Sequence, residues 1–164
     1  MTYEPVDIDL TTESDPTAWQ FLQALKDTTA AVEAVAYNMR IVTHLLANSD
    51  HRHLAEYAAD MSAAIDRLGP ADAAMRQRAT EVAGSWGAGD GASLSAIVSA
   101  APPPLAGPLG EALGALQSVT RELQEDGAVA SEVLEAATQI VSRRCRELEH
   151  ATADPTYRPP VDLR

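Results

Sequence analysis

Aromatic side chains are scarce in this chain: one phenylalanine, two tryptophans and four tyrosines in 164 residues. That excludes a bulky globular core and favours helices packed closely along thin seams, since alanine is the largest single part of the 46% apolar content. A single cysteine, Cys145, excludes an internal disulfide, and within SRRCRE it reads as an ordinary helix thiol despite its two arginine neighbours. Basic residues are half as numerous as acidic ones, 12 against 24. The resulting formal charge of −12 repels phosphate backbones and anionic lipid, so nucleic-acid binding is not expected. No apolar run approaches the roughly 20 residues of a membrane span, and no basic start is followed by an apolar leader. The expected location is the cytoplasm.

Catalytic signatures are missing too. There is no G-x-S-x-G, no HExxH, no cysteine pair and no Walker loop. GAGDGAS, residues 87–93, resembles a phosphate-binding turn only in its glycines. It lacks the Lys-Ser/Thr pair, follows no strand and carries Asp90, so it reads as a flexible connector. His51 and His53 are two residues apart, on different sides of a helix, with Arg52 between them; helical zinc pairs use spacings of three or four. Glu122, Glu125 and Asp126 cluster on one helix face, where a solvated charged surface explains them better than acid–base chemistry. No enzyme, metal site or cofactor is expected.

What the chain does have is apolar periodicity. From Leu105 to His150 alternate steps of four and three align Leu109, Leu113, Leu116, Leu123, Ala130, Leu134, Ala137, Val141 and Leu148, with Thr120, Gly127 and Arg144 in the same line. Val119, Val133 and Ile140 widen that face beyond a minimal two-stranded zipper. As one helix this stretch spans about 70 Å. Gly127 is its weak point, read either as a tolerated glycine or as a hinge or point of close backbone approach.

Earlier stretches repeat the pattern. Asp15-Pro16 is a helix start, and Phe21, Leu25, Thr28, Val32, Val35, Met39, Val42 and Leu46 mark the seam of a helix over about 16–47. Asn48-Ser49-Asp50 supplies a break and a new cap. A second helix over about 51–86 then folds back, its seam running Leu54, Ala58, Met61, Ile65, Leu68, Asp72, Met75, Ala79, Val82 and Trp86. The phase crosses Gly69-Pro70 unchanged, which favours one kinked helix over two. Ser93 caps a short helix over about 94–100, ended by Pro102-Pro103-Pro104. Residues 1–15 read as an acidic tail, in which Val6, Ile8 and Leu10 could make at most a lone strand. Residues 151–164 read as a proline-rich tail around Tyr157. The fold class expected is all-α: an elongated antiparallel helical bundle or coiled coil of three long helices, about 16–47, 51–86 and 105–150, plus one short one, within a domain over 16–150.

Two antiparallel helices bury one seam each, while the third offers an apolar face along its whole length. The half from Val129 to Leu148 is expected to outrun its cover and to dock another helix, from an identical chain in a homodimer or from a client. Trp19, AVAYNMRIVTHLLANSDHRHLAEYAADMSAAIDRL, ADAAMRQRATEVAGSWG before the glycine loop, SLSAIVSAAPPPLAGPL, LQSVTRELQEDGAVASEVLEAATQIV and the trailing Thr156-Tyr157 together resemble the FlgN-type flagellar type III export chaperones in their actinobacterial form. The resemblance covers most of residues 17–157. It implies a cytoplasmic chaperone for the hook–filament junction proteins FlgK and FlgL, holding their C-terminal segments and delivering them to the export gate FlhA. By position it implies a client groove at Val129, Val133, Leu134, Ala137, Ile140, Val141 and Leu148, and a gate contact at Tyr157. Two other classes stay open: a structural coiled-coil protein that self-assembles without a client, and a helical bundle housing a metal or small molecule.

Overall fold

The computed structural model describes residues 16–50 and 52–153. These form four α-helices: α1 (Pro16–Ala47), α2 (Leu54–Trp86), α3 (Leu94–Ser99) and α4 (Pro103–Ala153), with no strand among the described residues. The fold is all-α, and no described helix is long and apolar enough to cross a membrane. The two tails, with Asp15, Val6, Ile8, Leu10 and Tyr157, lie outside the described residues.

α1 is the middle of three. It packs along α2 on one side and α4 on the other, while the backbones of α2 and α4 make no close approach. α2 returns antiparallel to α1, bringing Trp86 edge-on to Phe21 with ring centroids 6.2 Å apart. Farther along, the Thr28 hydroxyl donates to the Ala71 carbonyl at 3.2 Å. α4 runs parallel to α1. Its early residues Pro108–Ala115 lie beside Lys26–Glu33, and its Glu122 and Asp126 reach Arg40.

The core gathers at one end. Phe21, Leu25, Val82 and Leu109 are wholly buried there, with Met75, Ile97, Val98, Leu105, Leu113 and Leu116 around them. Buried Ala18, Ala24, Ala79, Ala83 and Ala112 explain how so few large side chains suffice, because small residues let the helices approach closely. α3 supplies the plug, Ile97 and Val98, and Leu94 packs against the cluster. At the other end Met39, Val42, Leu45, Leu46, Leu54 and Met61 are only half-buried.

Local chemistry corrects several expected boundaries. α2 begins at Leu54 rather than 51: Asp50 accepts the Arg52 amide at 3.2 Å in the connector, and His53 takes the capping position without a side-chain bond. α3 stops at Ser99, with Ser93 capping it by accepting the Ala96 amide at 3.2 Å. Pro103 and Pro104 do not precede the long helix; they are its first turn. The Pro102 carbonyl takes the amides of Leu105 and Ala106 at 2.9 and 3.0 Å, and first-turn prolines have no helical amide to forfeit.

α2 is continuous through Gly69-Pro70, as the reading favoured. Its buried phase is not constant, however: Ile65 is 50% exposed while Ala64 is buried, and Ala58 is exposed as well. Beyond the proline Met75, Ala79 and Val82 take the expected positions. A strict seven-residue repeat belongs to supercoiled helices, whereas 3.6 residues per turn shifts the buried face by about 20° per heptad. That drift exchanges Ile65 for Ala64. At Gly127 nothing lies within 4 Å of where a Cβ would stand, so no other backbone approaches it closely, and the helix is continuous through it.

Candidate functional site

Because α2 returns the chain to the end where α1 begins and α3 turns it there, α4 starts beside the first half of α1 and outlasts it. Ala47, the last residue of α1, lies level with Val133 and Ala137, and α4 continues to Ala153, about 24 Å farther at 1.5 Å per residue. The seam therefore changes character along its length. Leu109, Leu113 and Leu116 are buried, Leu123 packs against the core, and then Val129 is 54% exposed, Leu134 52%, Ile140 65% and Val141 61%.

Of the seven groove residues expected, these four present open apolar surface on α4, while Val133 and Ala137 are half-buried against the end of α1. Leu148 lies on the same helix, its side chain outside the described ones, and Tyr157 is outside the described residues altogether. A cleft of about 300 Å³ runs where α1 ends, with Leu46, Ala47 and Ser49 on one wall and Val133, Ala136, Ala137, Ile140 and Val141 on the other. A second, of about 340 Å³, adjoins it between Arg40–Ala47 and Asp126–Val133. Sequence periodicity did not mark the α1 wall, because Leu46 reads as one more seam position.

At the boundary between covered and open halves stands an ion cluster. Arg40 of α1 donates to Glu122 at 3.0 Å and to Asp126 at 2.5 Å. The hydrogen bond to Asp126 is the main influence that raises the guanidinium pKa, with Glu122 adding to it. The carboxylates assigned to a solvated face are thus corrected in part: Glu122 and Asp126 clasp α1, while Glu125 faces solvent. The i, i+4 spacing of Glu122 and Asp126 was the available signal, but the partner cation is more than eighty residues away in the chain.

Another cleft, of about 480 Å³, lies at the opposite end between α2 and the glycine loop. Met75, Ala79, Ala83, Leu94 and Ile97 form its floor, with Asp72, Arg76 and Asp90 at the rim. Asp72 and Arg76 satisfy each other at 2.8 Å, and no histidine or cysteine lines the cleft, so no nucleophile–base pair converges there. Among the described residues no group of three or more His, Cys, Asp or Glu side chains is placed to hold a metal ion. His53 instead sits 3.5 Å from Glu56 on its own helix, and His51 is outside the described residues. Comparison with protein-family models, with curated proteins and with solved structures finds no match.

Proposed function

We propose that this chain is a non-catalytic helix holder: a cytoplasmic export chaperone of the FlgN type that captures the C-terminal segments of FlgK- and FlgL-type hook-associated proteins. The observation that carries the reading is the apolar stripe Val129, Leu134, Ile140 and Val141, left open where α4 passes the end of α1. A client helix with its own apolar stripe lies along this face, the cleft at Leu46–Ser49 giving it a second wall. The segment is thereby kept from pairing with its own kind.

The grip is reversible by its size. Full burial of a Val, Leu or Ile side chain contributes about 1.5–3 kcal/mol, and roughly half of each surface remains to be covered. Four such residues supply on the order of 4 kcal/mol before ordering costs, a hold that transfer to an export gate of the FlhA kind can undo without nucleotide. In this reading Tyr157 is the gate contact.

Replacing Leu134 and Val141 together by glutamate tests the assignment. Co-purification with the C-terminal segments of hook-associated proteins should be lost while far-UV circular dichroism keeps its helical form. Undiminished capture by that variant rejects the groove.

A further inference from the structure

Aspartate is followed by glycine at two places in the chain, Asp90-Gly91 and Asp126-Gly127, and the fold treats them oppositely. In such a pair the amide nitrogen of the glycine is a nucleophile for the aspartate's own carboxyl, because no Cβ crowds it. The attack closes a five-membered ring only where that amide is free of a helix ladder and the carboxyl is free to turn toward it. Asp126-Gly127 meets neither condition. It lies inside α4, where the ladder engages the Gly127 amide, and Arg40 of α1 holds the Asp126 carboxylate at 2.5 Å.

Asp90-Gly91 meets both. The two residues are exposed and form the middle of a turn that the Ala92 amide closes on the Gly89 carbonyl at 3.4 Å, with Gly91 at φ +75. Among the described residues the Gly91 amide finds no acceptor, and the Asp90 carboxylate finds no donor or cation. Exposure alone is not the distinction. Asn48-Ser49 is exposed as well, yet the Ser49 amide donates to the Leu46 carbonyl at 3.2 Å and the Asn48 side chain to the His44 carbonyl at 2.8 Å.

We propose that Asp90 is a modification site, isomerising spontaneously to isoaspartate in the folded protein. The Gly91 nitrogen bonds to the Asp90 side-chain carbon, and the amide proton and the carboxyl hydroxyl leave together as water. Water then adds to the cyclic imide. Cleavage at the former side-chain carbon restores aspartate; cleavage at the main-chain carbonyl carbon leaves the chain running through the side chain and frees an α-carboxylate. No oxidant or cofactor takes part. The product has one more main-chain carbon between Gly87 and Ser93 and a repositioned charge at the rim of the cleft between α2 and the glycine loop. Ile97 and Val98, buried beyond it, keep α3 seated while the loop changes. The new α-carboxylate is the group that an isoaspartyl methyltransferase esterifies with the methyl of S-adenosylmethionine, so the partner implied is a repair enzyme of that class. This site is remote from the open stripe of α4 and stands whether or not that stripe takes a client.

The two pairs fall in separate tryptic peptides, 79–121 and 122–143, so one digest reads both. After prolonged warm incubation of the full chain at neutral pH, peptide 79–121 should split into two chromatographic peaks of equal mass. The new one should accept methyl from S-adenosylmethionine in the presence of purified isoaspartyl methyltransferase. Conversion of peptide 122–143 should be slower by about tenfold or more, since a turn of α4 must open first. Incubation in urea removes that protection and should bring the two rates together. Asp90→Glu, which would have to close a six-membered ring, should abolish the second peak without loss of helix. A peptide 79–121 that stays single, equal conversion of both pairs in the folded chain, or a second peak that persists in Asp90→Glu each overturns the proposal.

Discussion

Leu109 and Leu134 occupy the same line on the same helix, and the structure gives them opposite weights. Leu109 is wholly buried in the cluster with Phe21 and Leu25, whereas Leu134 is 52% exposed beyond it. Truncating Leu109 to alanine removes three buried carbons and leaves a cavity between α1 and α4. Comparable core truncations cost 2.7–5 kcal/mol, so about 3 kcal/mol is expected. With a urea slope near 2 kcal/mol per molar, the unfolding midpoint falls by about 1.5 M. Truncating Leu134 removes carbons that are half in water already and leaves no enclosed void. At about 0.8 kcal/mol per buried carbon the loss is about 1 kcal/mol at most, and alanine's better helix propensity offsets part of it. Its midpoint should move by about 0.5 M or less. Both variants are measured by urea titration followed by circular dichroism, at a concentration low enough that chains do not associate. Equal shifts, or a larger shift for Leu134, would refute the division of α4 into a clamped half and an open one.

Two further substitutions and one titration probe the rest of the fold. Gly127→Ala meets open space in an ordinary helical conformation and should raise stability by roughly 0.5–1 kcal/mol through helix propensity. Gly87→Ala, at the left-handed position that ends α2 with φ +70, should lower it by about 1 kcal/mol. Thermal melts of the pair test the sign reversal, and a destabilising Gly127→Ala would revive the hinge. Glu81 accepts hydrogen bonds from Arg78 at 2.7 Å and Gln77 at 3.1 Å, and the Arg78 contact is the main cause holding its carboxyl below the ordinary value of 4.5. A depressed folded pKa contributes stability that is present above that value and is lost as pH falls through the folded one. The advantage of the parent chain over Glu81→Gln should therefore appear at neutral pH and vanish on acidification below pH 4.5, and an advantage that persists in acid contradicts the pairing.

Much of the architecture was legible without coordinates, for identifiable reasons. Seam positions such as Phe21, Leu25, Val82 and Leu109 repeat at helical spacing, so α1, α2 and α4 follow from period and length alone. Ser93 and the glycines at 87, 89 and 91 punctuate the chain through capping and positive φ, both strictly local effects. The reading erred where an outcome depends on how a helix is wound or what lies across from it. Ile65 and Ala64 are adjacent and both apolar, and only the drift of an unsupercoiled α2 selects the alanine for burial. Glu122 is solvent-exposed as read, but its ion pair and that of Asp126 with Arg40 escaped notice because Arg40 is distant in the chain.

The amino-acid order by itself determined that this chain is helical, where its helices break, and that α4 is apolar along its length. Periodicity records that a face is greasy; it does not record what lies over that face. That was decided by topology: α2 carries the chain back to the start of α1 and α3 turns it into α4 parallel to α1, so the 51 residues of α4 run past the 32 of α1 at one end only. Helix length and direction together leave Ile140 and Val141 open past the end of α1, while Val129 and Leu134 stay exposed on the flanks of α4 beside that end.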